Sequence, residues 1–536
     1  MTTIDVWRRP WAMIDGNRTD AAATYKVVYG SKIELYADHV PIIVTDAPEG
    51  PRIDGKLGTS EFLGRVDGKR AAWLLPFPVK ASRQPELHID DRRIAVTWPD
   101  MPASPDADAV EEYGIPDLGI QLMGRVKRIW TRLREVEDLI ADPATLWPEL
   151  SRRWTGGDAD ERPKMDEIVK QARSMRSVLE RLDKAPRRVL RRVHEQLPVS
   201  RVQELDRRSM TWLIRQPGQT MAEQAGNRQR ILAIAREENF NTLENRVLLA
   251  YAKLARHVAV DYVPKRSTLR GREKLVQTYG RRCKSLAEDL TKLGVTDAKP
   301  DITPNFVLLN NPDYHTVWEA WRKLLDRKRI FDDLWRWQAR SWDEFCALAV
   351  MVALQGLDGA EAVATSPLVF RAEQKRGSWL MTTRPLGVVH LSTQKIIAEV
   401  NYGRPPQPSA DMLRTIPEYE PLLAPVRIRC GRVGNQNAFL KNILVWPQWS
   451  INGGLPEGEA AETSRMLKPE RGKAIGSLDL VAGGIVILPS RGDTSQSVTA
   501  GNVSYLTLGA SGISLQEGLA QLKQTLLVLL EAGATG

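Results

Sequence analysis

The spacing of apolar residues changes twice along this chain of 536 residues, and those changes limit the folds open to it. Up to about Trp98 the apolar segments are short, rich in β-branched and aromatic residues, and separated by Gly, Pro and Asp, which predicts strands. Later segments such as "KIIAEVNY" and "GGIVILP" again predict strands, and a helix from Ser514 to Leu530 closes the chain. Between them the period is helical, with one apolar face made by Val126, Ile129, Trp130, Leu133, Val136 and Ile140.

These changes predict an α+β protein with three regions. A β-rich N-terminal domain covers residues 1–100, a basic helical region covers 118–293, and a mixed C-terminal domain covers 305–536. The acidic, proline-containing stretch "DMPASPDADAVEEYGIPD" is the predicted linker after the first domain.

Composition narrows the classes of function. The net charge of +10 and the pI near 9.4 favour a polyanionic partner. Cys283, Cys346 and Cys430 lie far apart without a CxxC pair, so we expect buried free thiols and no cysteine zinc site. The longest apolar run, "FCALAVMVALQGL", is too short to cross a bilayer, and "MTTIDVWRRPW" lacks the apolar core of a signal peptide. We therefore expect a cytoplasmic protein.

One helix near the middle of the chain has an unusually well-specified start, "NFNTLENRVLLAYAKLARH". Asn241 is a good N-cap residue, and Glu244 three positions later fits a capping box. The predicted buried stripe consists of Leu243, Val247, Tyr251 and Leu254. A capping box explains Glu244 without a catalytic or metal-binding role, but it does not explain Asn245 or Arg246.

The stretch "NTLENRVL", together with the preceding "DRRSMTWLIRQPGQT", resembles a bacterial family of McrC-like restriction-associated proteins. The resemblance is most specific in "NTLENR" and looser over the rest of the chain. It implies a C-terminal α/β domain with a PD-(D/E)xK nuclease fold and makes Glu244 a candidate member of a metal-binding acidic set. It also implies a motor partner of the AAA+ ATPase or GTPase class, or a helicase, since the chain itself has no credible nucleotide site.

A nuclease of this kind needs two strand carboxylates for Mg²⁺ and a lysine two residues after the second carboxylate. In "SLDLVAGGIVILPSRGD", Asp479 takes the first position, a hairpin is expected next, and "GGIVIL" is the predicted second strand. Where the (D/E)xK triplet should follow, the chain has Pro489, Ser490 and Arg491. Proline offers no side-chain ligand and arginine stays protonated, so the motif predicts a degenerate nuclease without metal.

Two other acidic sets are candidate sites. Glu373, Gln374 and Lys375 form a literal ExK, but the nearest upstream acid, Asp358, is in a Gly-flanked turn, so a solvated turn is the competing interpretation. If this triplet were active, Glu373 and Lys375 would join Glu244 and Asp479 as catalytic candidates with Mg²⁺ as cofactor. Asp343 and Glu344 suit the first turn of a helix, where negative charge meets the positive end of the helix dipole.

The densest basic stretch is "KAPRRVLRRVHEQLPVSRVQELDRRSMTWLIRQPG", and it predicts a helix with a basic outer face. A solvated or salt-bridged surface is the alternative, because glutamates lie nearby in the sequence. The candidate nucleic-acid-binding residues are Arg187, Arg188, Arg191, Arg192, Arg207, Arg208 and Arg215.

The basic stretch, the degenerate motif and what the resemblance implies together predict a nucleic-acid-engaging, non-catalytic component of a bacterial antiphage or restriction-type defence system, with DNA as partner and no cofactor. Two other functions remain open. One is an active Mg²⁺-dependent DNA endonuclease of the PD-(D/E)xK class, and the other is a protein adaptor without DNA contact.

Overall fold

The structure is a computed structural model, and it describes residues 3–7, 9, 23–26, 32–35, 42–53, 56–58, 71–79, 85–98, 101–105, 117–140, 142–143, 145–156, 167–263, 271–365, 368–375, 378–381, 385–403, 424–434, 441–456, 458–466 and 481–534. The chain forms two compact units. The large unit combines Met1–Pro163 with Arg329–Gly536, and the small unit is Lys164–Lys328.

The N-terminal part of the large unit is built from short strands, as its broken apolar segments predict. They are β1 (Thr3–Trp7), β2 (Ala23–Lys26), β3 (Lys32–Glu34), β4 (Ile42–Thr45), β5 (Arg52–Ile53), β6 (Lys56–Leu57), β7 (Ala71–Leu74), β8 (Glu86–Ile89) and β9 (Arg92–Thr97). One sheet has the order β2-β1-β4-β7 and is antiparallel throughout. The other has the order β3-β9-β8-β5-β6, in which only the β3–β9 pair is parallel.

Two helices follow, α1 (Asp117–Leu139) and α2 (Leu146–Thr155). The predicted apolar face of α1 is confirmed, since Val126, Ile129, Leu133 and Val136 are fully buried in the main core of the large unit. Arg132 on the same helix is also buried and donates to the carbonyl of Ala510 at 2.9 Å.

The small unit is mainly helical and carries one two-stranded sheet. Its elements are α3 (Glu167–Ser174), α4 (Arg176–Lys184), β10 (Val189–Pro198), a 3₁₀ turn (Val199–Arg201), α5 (Arg207–Ile214), α6 (Met221–Gln224), β11 (Arg230–Asn239), α7 (Leu243–Tyr262), α8 (Gly271–Lys292) and α9 (Phe306–Asn310). Helix α10 (Pro312–Arg336) contributes its residues up to 328. Helices α7, α8 and α10 share a core that includes Val247, Tyr251, Cys283 and Trp321.

Helix α7 contains the predicted buried stripe, although its start differs from the prediction. Val247 and Tyr251 are fully buried, and Leu243 and Leu254 are partly buried against the same core. The N-cap residue is Thr242 and not Asn241, because the Thr242 side chain accepts the N–H of Asn245. Glu244 therefore lies one position too early to close the predicted capping box.

The C-terminal part of the large unit is an eight-stranded sheet with helices packed on it. Its helices are α11 (Gln338–Gln355), α12 (Glu459–Met466) and α13 (Gly512–Ala534). Its strands are β12 (Ala360–Thr365), β15 (Gly387–Leu391), β16 (Ile396–Tyr402), β17 (Val426–Arg432), β18 (Lys441–Pro447), β19 (Val481–Pro489), β20 (Ser497–Ala500) and β21 (Val503–Leu508). A separate hairpin pairs β13 (Val369–Lys375) with β14 (Ser378–Met381).

The sheet order is β12-β15-β16-β17-β18-β19-β21-β20. Strands β18, β19 and β21 are mutually parallel, and the remaining neighbours are antiparallel. Alternate residues face opposite ways, so Ile485 and Ile487 join the core formed with α11 and α13, whereas Val486 and Leu488 join a smaller cluster that includes Ala460 of α12.

The α+β class is confirmed, but the two units divide the chain differently from the predicted regions 1–100, 118–293 and 305–536. The sequence predicts helix α1 as part of the middle region, but its apolar face shares one core with the N-terminal and C-terminal sheets. All three cysteines are buried free thiols, as expected. Within the described ranges, no helix is both long and apolar enough to cross a membrane.

Candidate nucleic-acid interface

Most of the predicted basic stretch lies in a long two-stranded arm. Strands β10 and β11 pair antiparallel over their whole length, from Val189 opposite Asn239 to Pro198 opposite Arg230. Ten residues per strand give a ribbon roughly 33 Å long. We call residues 189–239 the arm and residues 199–229, which join the two strands, the tip. The predicted helix is wrong for the first part of this stretch, which is strand β10, and right only for α5 within the tip.

The tip has a small core and two capped helices. Leu213, Ala225 and Ile231 are buried together, with Trp212 packed against them. Asp206 caps α5 by accepting the Ser209 N–H at 2.9 Å. Helix α6 begins with a capping box between Thr220 and Glu223. The tip therefore has a defined conformation of its own at the end of the ribbon.

Asn245 fastens the base of the arm to helix α7. Its amide donates to the carbonyl of Arg187, just before β10, at 2.7 Å and to the carbonyl of Phe240, just after β11, at 2.8 Å. Its oxygen accepts the Tyr314 hydroxyl at 2.6 Å. The side chain is fully buried, so these bonds replace all contact with water. One side chain thus ties both ends of the arm to the helical core, which is the role that the sequence did not reveal.

Glu244 helps Asn245 to hold the base of the arm, and we call these two residues the clamp. Its Oε1 accepts from the Arg187 guanidinium at 2.6 Å and from the Asn305 amide at 2.8 Å, and the residue is 2% exposed. Arg246, the next residue of "NTLENR" after Asn245, donates to the carbonyl of Asp297 at 3.3 Å. The contacts of this stretch are therefore those of a structural clamp.

Four of the six carboxylates in the arm already have partners. Glu204 binds both Arg192 and Arg236, and Glu238 binds Arg188. Asp206 holds a helix cap and accepts from His194, and the Ser209 N–H, with help from His194, lowers the pKa of Asp206 to about 2. The capping hydrogen bonds from Gln219 and Thr220 likewise lower the pKa of Glu223. Asp206 and Glu223 therefore remain charged at neutral pH while they cap these helices.

The arginines outnumber the carboxylates, and many have no acidic partner. Of the predicted set, Arg187, Arg188 and Arg192 form ion pairs. The side chains of seven exposed arginines make neither an ion pair nor a hydrogen bond with any described residue: Arg191, Arg201, Arg207, Arg208, Arg215, Arg228 and Arg230. The sequence reasoning missed Arg201, Arg228 and Arg230 as site residues. The alternation in "RQRILAIAREEN", which marks the second strand of the ribbon, could have identified the last two.

The predicted nuclease motif is only partly within the described residues. Asp479 lies outside them. The strand "GGIVIL" is confirmed as part of β19, but β19 pairs in parallel with both β18 and β21, so neither neighbour is its hairpin partner. Pro489 ends this strand, and the Ser490 hydroxyl is 2.7 Å from the carbonyl of Thr494. Strands β20 and β21 follow β19 before helix α13 begins.

The rival triplet lies on the separate hairpin. Glu373 and Lys375 belong to β13, and another strand, β14, follows it. The side chains of Glu373 and Lys375 lie outside what the structure describes. Asp358, the nearest upstream acid, has a side chain that is 92% exposed and lies in a turn. Over the described part of the chain, no three His, Cys, Asp or Glu side chains are grouped closely enough to hold a metal ion.

Comparisons with known proteins identify no family for this chain. No protein-family model matches it, and no curated protein matches it. Among solved structures, the chain is similar to one from the refined half-complex of a tetradecameric assembly of Thermococcus gammatolerans McrB AAA+ hexamers with bound McrC. The identity is 9%, the alignment covers 86% of this chain and 84% of that chain, and the TM-score is 0.19. A likeness at this level carries no argument about fold or function.

Proposed function

We propose that this chain is a nucleic-acid-engaging, non-catalytic component of a bacterial restriction-type or antiphage defence system, and that the arm contacts the phosphate backbone. The observation that carries the proposal is the set of seven exposed arginines in the arm that have no acidic partner among the described residues, five of them in the tip. Phosphate contacts of this kind are independent of base sequence.

The choice of basic residue supports a phosphate partner. Residues 189–239 contain nine arginines and no lysine, although lysine is frequent elsewhere in the chain. A guanidinium group can donate two parallel hydrogen bonds to one phosphate, whereas an ammonium group acts as a point charge. The clamp at Glu244 and Asn245 holds the base of the ribbon, which reduces the entropy lost when the arm binds.

Replacing Arg201, Arg207, Arg208 and Arg215 by Gln is expected to weaken binding to duplex DNA roughly 10- to 100-fold at low salt, because four phosphate contacts lose their charge. The reduction should be similar for unrelated duplex sequences. Fluorescence anisotropy with two labelled duplexes of different sequence measures both effects.

The matched control replaces four arginines that already have carboxylate partners, Arg134, Arg152, Arg153 and Arg176, by Gln. It changes the net charge by the same amount, so it should leave DNA affinity within about threefold of the parent. Equal losses in the two variants would reduce the arm to a contributor to overall charge and would count against the proposal.

The non-catalytic part of the proposal is tested by metal-dependent cleavage. The purified chain is expected to leave duplex and single-stranded DNA intact at millimolar Mg²⁺ or Mn²⁺, because a hard cation needs several oxygen ligands and the motif at Asp479 lacks its second carboxylate. Gel analysis of labelled DNA measures cleavage. If cleavage occurs and is lost on changing Asp479→Ala, Glu373→Ala or Glu244→Gln in a folded variant, the chain is an endonuclease and the variant identifies its site.

A second candidate function is docking of a protein partner on the tip, and exposed apolar side chains favour it. Met210, Ile214 and Met221 are 44%, 73% and 43% exposed. Methionine and arginine are both enriched at protein interfaces. The resemblance in "NTLENR" implies an AAA+ motor, which is the partner class that this surface would receive. Changing Met210 and Ile214 to Gln alters no charge, so it should preserve DNA affinity while weakening such a partner.

A further inference from the structure

Two arginines of the arm do have an acidic partner, and they share it. Arg192 of β10 and Arg236 of β11 lie directly opposite each other in the ribbon. The two carboxylate oxygens of Glu204 divide between them, with Oε1 2.9 Å from Arg192 Nη2 and Oε2 3.3 Å from Arg236 Nη2. Like charges directly opposite each other on paired strands are destabilising, so this position in the ribbon favours an anion between the two guanidinium groups.

The carboxylate of Glu204 can leave this position without unfolding the tip. Its side chain is 31% exposed, and the side chains of Arg192 and Arg236 are 65% and 59% exposed. Ion pairs between groups as exposed as these contribute little to stability in water. The backbone of Glu204 is held separately, because its carbonyl accepts the Ile234 N–H at 3.1 Å and the neighbouring Leu205 packs against the core of the tip. Rotation of one side chain is therefore enough to vacate the position.

The two guanidinium groups are arranged as a phosphate group needs them. Each can donate to one oxygen, and a backbone phosphate presents two charged oxygens on one atom, as a carboxylate does. The adjacent acids are held by other partners, Asp206 by His194 and Glu238 by Arg188. The side chain of Glu204 therefore marks an anion position between the two strands of the ribbon.

We propose that Arg192 and Arg236 form a phosphate-binding site that Glu204 occupies in the free protein, and that a backbone phosphate of the bound nucleic acid replaces Glu204 there. The inference rests on the proposed function, because the phosphate reaches this site on a nucleic acid that the seven other arginines hold along the arm. Glu204 is then an internal competitor of the nucleic acid and lowers the affinity of the arm for it.

Glu204→Gln tests the site, since it keeps the size of the side chain and removes its charge. The variant is expected to bind duplex DNA roughly 3- to 30-fold more tightly at low salt, because the phosphate no longer displaces two exposed ion pairs. Fluorescence anisotropy of the full chain with a labelled duplex measures the gain. With Arg192→Gln and Arg236→Gln in the same chain, adding Glu204→Gln should change the affinity by no more than about twofold, since there is no site left to unmask.

Two matched controls separate this site from a general effect of charge. Glu195→Gln removes an exposed carboxylate of β10 that forms no ion pair with a described residue. Glu149→Gln frees two arginines at once, since Glu149 is the shared partner of Arg152 and Arg153 on α2. Each control removes the same charge as Glu204→Gln, and each should change the affinity for duplex DNA by no more than about twofold.

The results that overturn this inference differ from those that overturn the proposed function. If the parent binds duplex DNA but Glu204→Gln gains no more than the controls, or keeps its gain without Arg192 and Arg236, the arm still binds and Glu204 only joins the two strands. If neither the parent nor Glu204→Gln binds at low salt, both the inference and the proposed function fail.

A second comparison decides the matter if Glu204→Gln does not fold. Replacing Arg192 and Arg236 by Gln in the parent should lower the affinity for duplex DNA at least about threefold, because a phosphate contact is lost. Replacing Arg152 and Arg153 by Gln removes the same charge from two arginines that also share one carboxylate, and it should leave the affinity within about twofold of the parent. Equal losses in the two variants would contradict a phosphate site between the strands.

Discussion

Replacing Arg340 by Ala is expected to remove about 3–5 kcal/mol from the free energy of unfolding of the large unit at pH 8, among the largest effects of any single substitution in the chain. The change removes the guanidinium that donates to the buried Asp343 carboxylate and to the Tyr402 hydroxyl, and whose charge also favours the ionised form of Glu344. Both acids lie beyond the first turn of α11, contrary to the prediction from the sequence. Burial is the first cause of the raised pKa values of Asp343 and Glu344, and the loss of Arg340 raises them further.

The sign of the pH dependence follows from these shifts. Groups whose pKa is higher in the folded state bind more protons there, so the free energy of unfolding falls as the pH rises. The variant should therefore lose much less relative to the parent at pH 5, where both acids are neutral in either protein. Urea denaturation at pH 5 and pH 8, followed by tryptophan fluorescence, measures the two differences.

A compensated variant checks that the loss comes from unbalanced charge. Arg340→Met combined with Asp343→Asn and Glu344→Gln removes all three charges while roughly keeping the volume, and it should recover most of the loss at pH 8. An Arg340→Ala loss of the same size at pH 5 and pH 8 would mean that packing, and not charge, determines the effect.

Elements with one buried face were predictable because their periodicity is local. Helix α1 shows its stripe within 15 residues, and the closing helix α13 contains the predicted 514–530. The arm was not predictable in the same way. In "VLRRVHEQLP", Leu190, Val193 and Leu197 have helical spacing, while Val189, Val193 and Leu197 also fit the two-residue period of a strand. The strand forms because β11, up to 50 residues later in the sequence, supplies its hydrogen bonds.

In the candidate site, too, the sequence identified local features but not those that depend on contacts between distant residues. Exposed arginines could be found by composition, and four of the seven predicted ones lack an acidic partner in the described residues. Which arginines would be neutralised depended on folding, since Glu204 reaches Arg192 and Arg236 on two different strands. The role of Asn245 was likewise invisible, because its partners at Arg187 and Tyr314 are 58 and 69 residues away.

Deleting the tip is expected to have the largest effect on function. Pro198 and Arg230 are the last paired residues of the ribbon, so residues 199–229 can be replaced by Asn-Gly, which favours a tight hairpin turn. Ile231 is buried only under the tip and should be changed to Thr in the same protein. The deletion removes five of the seven unpaired arginines and the exposed Met210, Ile214 and Met221, while the clamp at Asn245 remains.

The salt dependence of duplex binding tests the central claim most directly. Each phosphate neutralised by an arginine contributes about −0.9 to the slope of log affinity against log salt concentration. If all seven unpaired arginines contact phosphates, the parent should show a slope of about −6, and the tip-deleted protein, with two of them left, a slope of about −2. A parent that does not bind duplex DNA at low salt, or equal slopes in the two proteins, would contradict the account and leave the arm as a surface for a protein partner.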